Sequence, residues 1–246
     1  MKIAAICCTY KRPKELATAI ECFLRQDYPP ERRELIVLDD ADQYANQAGD
    51  GWRLISLPFR FRTLGEKRNA SAGLVSPDVD GYCVWDDDDV YLPWHMTAAV
   101  GALADADYTI PTVIYNDKRN RLQRKPNQYL FHGAWAFRRE AFERVGGYPF
   151  IQSGQDQGLL RRFKDAKLRR GDPIQHDSRP SYVYRWYTAH SQHISAMGAN
   201  GYERLGQVPA TRIDTILPRW DCDWLQLHEA AELKHKEAER EPTGTP

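Results

Sequence analysis

The chain has 246 residues with 34 basic and 34 acidic side chains, so it lacks the overall charge that would attract a nucleic acid or an anionic membrane. Its length suits one domain with a sizeable core, or one domain with an appendage. We expect no transmembrane segment and no targeting signal, because no apolar run is long enough for either. The five cysteines lack metal-type spacing and predict reduced core thiols in a cytoplasmic protein.

Short apolar runs alternate with amphipathic segments in the first third of the chain. Residues 2–8 and 34–38 predict two buried strands, and the segment between them has the apolar spacing of a helix. This alternation implies parallel neighbouring strands and therefore an α/β fold. Ligands bind beyond the carboxyl ends of such strands, where Thr9, Asp40 and the acidic residues 86–89 would converge.

The remaining elements follow from the same periodicities and from glycine and proline signals. We predict strands at residues 54–57, 81–85, 108–115, 129–137 and 180–186, and a hairpin turn at residues 116–121. We predict helices at residues 64–74, 93–104, 138–145, 157–167 and 224–240. Residues 241–246 are expected to be disordered.

Four consecutive carboxylates, Asp86 to Asp89, directly follow the predicted strand at residues 81–85. Like charges at a strand end repel one another unless a cation neutralises them. Carboxylate oxygens suit Mg²⁺ or Mn²⁺, which commonly hold substrate phosphates. The alternative is a solvated acidic turn, but such a turn rarely follows so apolar a strand. The sequence therefore predicts a metal–phosphate site at this strand end.

Two cations lie in the first turns of the predicted helix at residues 64–74. The helix dipole disfavours positive charge at the positions of Lys67 and Arg68. Their placement indicates an anionic ligand nearby, although surface charges also occur there by chance.

Five short motifs follow one another along roughly residues 2–165. They are Thr9-Tyr10-Lys11-Arg12-Pro13, Asp39-Asp40, Gly65 with Arg68-Asn69, Asp86-Asp87-Asp88-Asp89 with Pro93, and Gly146-Gly147-Tyr148 with Gln155-Asp156. Together they resemble the motifs of the family 2-type glycosyltransferases of the GT-A fold, in the family's order and at its usual separations. This resemblance implies a Rossmann-like α/β fold with a mixed central sheet flanked by helices. It also implies inverting transfer of a sugar from a nucleotide-diphosphate donor.

The resemblance implies roles for the donor-side residues. Asp86 and Asp88 would hold Mn²⁺ or Mg²⁺, which stabilises the departing diphosphate. Asp40 would accept the N3–H of uracil, which favours a UDP-sugar; the alternative is that Asp39-Asp40 only closes the strand as an Asx turn. The other predicted donor contacts are Thr9, Tyr10, Arg12, Arg68, Asn69 and Asp87.

Asp156 matches the family's catalytic base, which removes a proton from the attacking acceptor hydroxyl. Its alternative role is an ordinary helix N-cap. The family commonly has Glu before this Asp, whereas this chain has Gln155, so Asp156 would work alone. Many GT-A enzymes supply a C-terminal histidine to the metal, and His193 or His190 would match it, unless they are only exposed or core-satisfied histidines.

Aromatic and basic residues are the candidates for the acceptor side. His132, Trp135, Tyr129 and Trp94 would stack on a sugar ring or a base, with a place in the core as the alternative. Arg162 matches a basic position in the motif of Asp156. Two basic clusters would face an anionic acceptor such as DNA or a lipid diphosphate, with a solvated surface as the alternative. They are Lys118-Arg119-Arg121-Arg124-Lys125 and Arg161-Arg162-Lys164-Lys167-Arg169-Arg170.

Three functions remain open at this point. The protein would be an inverting glycosyltransferase acting on a glycan, peptide or small molecule, one acting on modified bases in DNA, or a non-catalytic module that binds nucleotide or carbohydrate. The retained carboxylates argue against the third, and a nucleotidyltransferase would need a glycine-rich loop that residues 9–13 lack. We expect one domain over residues 1–223, with residues 1–105 binding the nucleotide-sugar and residues 106–223 the acceptor. A C-terminal helix and tail would occupy residues 224–246.

Overall fold

The structure is a computed structural model that describes residues 1–118, 120–187 and 201–240. The chain begins with a strand, a helix and a second strand, as the sequence predicts. The strands are β1 (Ile3–Thr9), β2 (Arg33–Asp39), β3 (Gln47–Gly49), β4 (Trp52–Ser56), β5 (Gly81–Asp86), β6 (Val90–Tyr91), β7 (Tyr108–Thr109), β8 (Val113–Lys118), β9 (Leu122–Pro126), β10 (Ala136–Arg138), β11 (Arg170–Gly171) and β12 (Tyr182–Tyr187). The helices are α1 (Pro13–Leu24), α2 (Leu64–Gly73), α3 (His95–Leu103), α4 (Arg139–Arg144), α5 (Gln155–Asp165), α6 (Gly201–Gln207) and α7 (Trp224–Arg240).

An eight-stranded mixed sheet forms the centre of the fold, in the order β11-β7-β10-β5-β1-β2-β4-β3. β1 lies between β2 and β5 and is parallel to both, whereas β10 is antiparallel to β5. The register aligns Thr9 with Asp39 and Cys8 with Asp86. The carboxyl ends of β1, β2 and β5 therefore meet at one edge of the sheet. This arrangement confirms the predicted α/β fold with a mixed central sheet flanked by helices.

Side chains of β1 alternate between two apolar cores on opposite faces of the sheet. Ile3, Ala5 and Cys7 pack with residues of α1 and α3, while Ala4 and Ile6 pack with residues of α2, α4 and α5. This alternation follows from the period of two in an extended strand. Near-continuous apolar runs such as β1 are typical of parallel strands covered on both faces.

A second, four-stranded sheet has the order β6-β12-β8-β9. Its strand β6 begins directly after Asp89, so the acidic cluster lies where the two sheets meet. α7 packs on this sheet through the fully buried Trp224. Its Glu232 accepts a hydrogen bond from the Tyr115 hydroxyl and forms an ion pair with Arg124. Among the described residues, no helix combines the length and the apolar character needed to cross a membrane.

Two predicted strands differ from the observed ones. The strand predicted over residues 108–115 is divided into β7 and β8, with Pro111 between them; proline has no N–H for a ladder hydrogen bond. The strand predicted over residues 129–137 is reduced to β10, because Tyr129 has a left-handed backbone with a φ of 64° and residues 132–134 form a 3₁₀ turn. The predicted hairpin is confirmed by the antiparallel pairing of β8 and β9.

Two helices begin at other residues than predicted, and the predicted domain limits are not tested by the structure. α5 begins two residues earlier than predicted, and α3 begins two residues later. The expected disorder of residues 241–246 concerns residues outside those that the structure describes. The predicted division of the chain at residues 105/106 and 223/224 remains a prediction.

Candidate active site

A cleft of about 310 Å³ opens at the edge where β1, β2 and β5 end. It collects most of the predicted site residues. Those that line it are Thr9, Tyr10, Arg12, Asp40, Arg68, Asp86, Asp87, Asp88, His132 and Asp156. The parallel strands explain this convergence, since three of these segments directly follow strands whose carboxyl ends are adjacent.

Arginine side chains neutralise part of the acidic cluster. Arg12 Nη2 lies 2.5 Å from Asp87 Oδ1, and Arg12 Nη1 lies 2.5 Å from Asp88 Oδ2. Arg68 Nη2 lies 2.8 Å from Asp86 Oδ1. Burial raises the pKa of Asp87 to about 7, with a further contribution from the charge of Asp88, although Arg12 opposes the shift. The carboxylates are thus held together by two guanidinium groups from other segments of the chain.

Asp89 joins the acidic cluster to the second sheet. It accepts a hydrogen bond from the Tyr182 hydroxyl and a 3.0 Å hydrogen bond from the backbone N–H of Arg185. Burial and the neighbouring charge of Asp88 raise its pKa well above the usual range of a carboxyl group. Because both of its oxygens have partners on β12, Asp89 serves to fix β12 against the end of β5.

The two carboxylates at the end of β2 have different roles. Asp39 accepts from the backbone N–H groups of Ala41 and Gln43 at 3.1 and 3.0 Å and from the Ser56 hydroxyl at 2.7 Å, so the turn-closing role applies to it. Asp40 lines the cleft, where it pairs with Lys67 Nζ at 2.5 Å. The anionic partner of Lys67 is therefore the carboxylate of Asp40 rather than a ligand. Arg68 likewise pairs with a carboxylate of the protein, that of Asp86.

Asp156 lies in the first turn of α5 and lines the cleft. The N-cap residue of α5 is Gly154, which has a φ of 73°, so the alternative assignment of Asp156 as the N-cap is wrong. A carboxylate in the first helical turn is favoured by the helix dipole. Its side chain is partly exposed, and Gln155 beside it is buried. Asp156 is thus a carboxylate with access to the cleft.

His132 and Gly133 form the wall of the cleft next to Asp86. His132 Nε2 lies 3.0 Å from the Tyr148 hydroxyl, whereas its buried Nδ1 has no hydrogen-bond partner among the described residues. Burial, and then the charge of Arg68, lowers the pKa of His132 to about 3, so the imidazole is neutral at physiological pH. A Cβ at Gly133 would lie 2.9 Å from both Asp86 Oδ2 and the Tyr182 hydroxyl. Only a glycine lets this segment approach the carboxylate so closely.

Three predicted site residues do not line the cleft, and their assignments are corrected. Asn69 bonds the backbone of Tyr148, donating to its carbonyl and accepting from its N–H, both at 2.9 Å. Arg162 donates to the carbonyls of Gly146 and Gly147 at 3.0 and 2.8 Å. Trp135 is buried in the core. Asn69 and Arg162 therefore stabilise the Gly146-Gly147-Tyr148 turn.

The remaining aromatic candidates for the acceptor side, Trp94 and Tyr129, do not line the cleft either. Trp94 is buried beside Arg179 and His228, away from the cleft. Tyr129 is 37% exposed and packs between Lys164 and Arg170, so it is not a core residue. His190 and His193 lie outside the residues that the structure describes.

Several further residues line the cleft that are not among the predicted site residues. Tyr182 and Tyr184 both line it from β12, and their spacing of two residues on a predicted strand was an available signal. The charge of Lys67 predicts an anion nearby, but no local pattern identifies Asp40 as its partner. Gly133 and the loop residues Arg60 and Phe61 had no local signal, because their place depends on contacts between distant segments.

The donor atoms at the end of β5 fit a hard divalent cation. Asp86 and Asp88 both line the cleft, and their side chains carry carboxylate oxygens. No cluster of three His, Cys, Asp or Glu side chains suited to a metal exists among residues 1–118, 120–187 and 201–240. Mg²⁺-type sites usually take one or two carboxylates and complete their shell with water and substrate phosphates. The observed donor set therefore suits a metal bound together with a phosphate ligand.

Residues 4–152 match the family model described as glycosyl transferase family 2. Among solved structures, S. aureus TarS 1–349 in complex with UDP-GlcNAc aligns with a TM-score of 0.61 and 15% identity, over 82% of this chain and 64% of that one. Its complex with UDP aligns with a TM-score of 0.59 and 14% identity, over 75% and 60% of the two chains. The mannosyltransferase PcManGT from Pyrobaculum calidifontis, in complex with GDP-Man and Mn²⁺, aligns with a TM-score of 0.57 and 18% identity, over 76% of this chain and 58% of that one.

The chain spans about three fifths of the length of these structural relatives. No curated protein sequence matches it. At these identities the structural likeness establishes the fold alone. The family match, in contrast, covers more than half of the chain and includes the acidic cluster and the Gly146-Gly147-Tyr148 turn. The chain therefore belongs to glycosyl transferase family 2, a family of glycosyltransferase enzymes, and has the GT-A fold.

Proposed function

We propose that the protein is an inverting, metal-dependent glycosyltransferase that moves a sugar from a UDP-sugar to a hydroxyl acceptor. The observation that carries this proposal is the composition of one cleft. It contains the Asp40 carboxylate at the end of β2, the Asp86 and Asp88 carboxylates at the end of β5, and the Asp156 carboxylate at the start of α5. Donor recognition, diphosphate stabilisation and proton removal each require one of these groups.

The donor part of the proposal rests on Asp40 and on the relatives. One TarS structure contains UDP and another UDP-GlcNAc, whereas the mannosyltransferase structure contains GDP-Man with Mn²⁺. Asp40 Oδ1 is held by Lys67 and its Oδ2 by the N–H of Phe61 at 3.1 Å. A carboxylate has about four lone-pair sites, so each oxygen retains capacity to accept the N3–H of uracil.

Asp86 and Asp88 would hold Mn²⁺ or Mg²⁺, which when bound supplies Lewis-acid stabilisation of the diphosphate leaving group. Arg12 and Arg68 lie at the same carboxylates and add positive charge next to the diphosphate. Guanidinium groups match phosphate oxygens in a two-point geometry. Neutral His132 adds a hydrogen-bonding nitrogen to the wall of the cleft without adding charge.

Asp156 would act as the general base. It takes the proton of the acceptor hydroxyl while that oxygen attacks the anomeric carbon of the sugar. The new oxygen–carbon bond forms as the bond from that carbon to the diphosphate oxygen breaks, and the electron pair leaves with the diphosphate. Attack on the face opposite the leaving group inverts the configuration. The proton then remains on Asp156.

DNA is a less suitable acceptor than the basic clusters alone suggest. Arg124 pairs with Glu232, and Arg162 donates to backbone carbonyls. Arg170 donates to the Tyr129 hydroxyl at 2.7 Å. These arginines stabilise the fold, so the clusters offer fewer cations to a phosphate backbone. We therefore keep a glycan, peptide or small-molecule hydroxyl as the proposed acceptor.

Thermal unfolding with a panel of nucleoside diphosphates, with and without Mn²⁺, tests the proposal. Because a ligand that binds only the folded protein raises its Tm, UDP with Mn²⁺ should give the largest increase. Asp88→Ala should lose the metal-dependent part of that increase, while Asp78→Ala, which changes an exposed carboxylate remote from the cleft, should keep it. An unchanged Tm with every diphosphate would refute the proposed donor class.

A further inference from the structure

The guanidinium of Arg12 binds two neighbouring carboxylates of the acidic cluster at once. Its two terminal nitrogens lie 2.5 Å from Asp87 Oδ1 and 2.5 Å from Asp88 Oδ2. The side chains are 12% exposed for Arg12, none for Asp87 and 4% for Asp88. These ion pairs are therefore largely shielded from water. Charge interactions are stronger in such a buried environment than at the surface.

The backbone of Arg12 is fixed, while its side chain is long enough to change partners. Arg12 is the N-cap residue of α1 and directly precedes Pro13, whose ring disfavours helical backbone angles for the residue before it. The preceding Lys11 has a left-handed backbone and donates from Nζ to the carbonyl of Gly206 at 2.8 Å. The loop is thus anchored on both sides of Arg12.

A divalent cation that binds Asp88 competes with the guanidinium of Arg12 for that carboxylate. Arg12 occupies Oδ2 of Asp88, and Arg68 stands at Oδ1 of Asp86. Two positive groups at the carboxylates reduce the attraction for a dication, and Arg12 directly contacts a carboxylate oxygen of Asp88. A diphosphate carries negative charge and paired oxygens that suit an arginine, so it offers Arg12 an alternative partner.

We infer that Arg12 keeps Asp88 paired until a nucleoside diphosphate takes over its guanidinium, so that metal and nucleotide bind cooperatively rather than independently. The inference rests on the proposed function, since it assumes that the diphosphate and the metal share this cleft. Linkage requires the effect to be reciprocal: Mn²⁺ must raise the affinity for UDP by the same factor as UDP raises the affinity for Mn²⁺.

The coupling is measured by titrating the full chain with Mn²⁺ in the presence and in the absence of UDP. The electron paramagnetic resonance signal of free Mn²⁺ gives the dissociation constant in each case. For the wild type we expect UDP to tighten Mn²⁺ binding by about tenfold or more. For Arg12→Gln we expect Mn²⁺ alone to bind about tenfold more tightly than to the wild type, and the effect of UDP to fall to about threefold or less. Lys14→Gln removes an exposed charge two residues along α1 and should behave like the wild type.

Arg12→Gln leaves buried carboxylates without their partner and lowers stability. Arg12→Lys is the second variant, because its ammonium keeps the positive charge but lacks the two terminal nitrogens that bind two carboxylates at once. It should fold and show a coupling between those of the wild type and Arg12→Gln. If both Arg12 variants keep the wild-type coupling, the inference is wrong while the proposed function stands. If the wild type binds neither UDP nor Mn²⁺, the proposed function fails and the inference with it.

Discussion

Lys67 Nζ lies 2.5 Å from Asp40 Oδ1 and 2.6 Å from the carbonyl of Thr9, so one ammonium joins the ends of β1 and β2. The side chains of Lys67 and Asp40 are only 6% and 5% exposed. Removing one partner of such a pair leaves an uncompensated buried charge, which typically costs 3–5 kcal/mol. We expect Lys67→Met to lower the free energy of unfolding by about that amount in urea denaturation.

A double-mutant cycle separates the ion pair from packing. Asp40→Asn combined with Lys67→Met removes both charges, so the double variant should be more stable than Lys67→Met alone. Equal stability of the double variant and Lys67→Met would show that the lost charge pairing is not the cause. In Asp40→Asn alone and in the double variant, UDP binding should weaken, because the proposed acceptor of the uracil N3–H is altered.

Asp156→Asn tests the proposed general base. The amide keeps the size of the side chain but cannot take a proton, so we expect kcat to fall by about 10²–10⁴-fold. The dissociation constant of UDP should be unchanged, since Asp156 is assigned to the acceptor. The matched control is Asp165→Asn, at the exposed far end of the same helix, which should keep wild-type kcat. Full turnover by Asp156→Asn would contradict the assignment.

Gly133→Ala tests the contact between the 3₁₀ turn and Asp86. The added Cβ would lie 2.9 Å from Asp86 Oδ2, and the neighbouring Tyr182 is buried, so the carboxylate is the group that must move. We expect UDP with Mn²⁺ to bind about tenfold more weakly, which corresponds to about 1.4 kcal/mol. Gly73→Ala is the control, because a Cβ there meets open space; it should keep wild-type binding. Unchanged binding in Gly133→Ala would show that Asp86 is free to shift.

The sequence predicted those parts of the fold that depend on local periodicity. α1 begins at Pro13 as the sequence predicts, because proline at the first helical position and apolar spacing are both local signals, and it ends at Leu24, shortly before the predicted break at residues 27–30. The convergence of Thr9, Asp40 and Asp86 followed from the α/β rule that parallel strands end at one edge. These predictions needed no knowledge of which distant side chains meet.

Predictions that depend on distant partners were less successful. Asn69 and Arg162 belong to motifs of the family, but their hydrogen bonds go to the backbone of residues 145–148, which no local pattern indicates. The aromatic run at residues 129–137 has strand composition, yet Tyr129 adopts a left-handed backbone and packs between two cations. Tertiary contacts overrode local propensity at both places.

His95 gives a prediction about acid sensitivity. It is buried against Trp85 and Tyr91, its Nδ1 lies 2.9 Å from the Ser181 hydroxyl, and burial lowers its pKa to about 3 from an ordinary value near 6.5. Between these two values the unfolded chain takes up a proton at His95 and the folded protein does not. The stability that depends on neutral His95 is therefore complete above pH 6.5 and is lost as the pH falls towards 3, at about 1.4 kcal/mol per pH unit.

His95→Phe should remove this dependence, because phenylalanine fills the same aromatic site and cannot be protonated. We expect the slope of unfolding free energy against pH, measured by urea denaturation between pH 4 and 6, to be shallower than that of the wild type by about 1.4 kcal/mol per unit. His235→Gln, at a partly exposed site on α7, is the matched control and should keep the wild-type slope. Parallel curves for His95→Phe and the wild type would mean that His95 is protonated in the folded protein, which its burial among aromatic rings opposes.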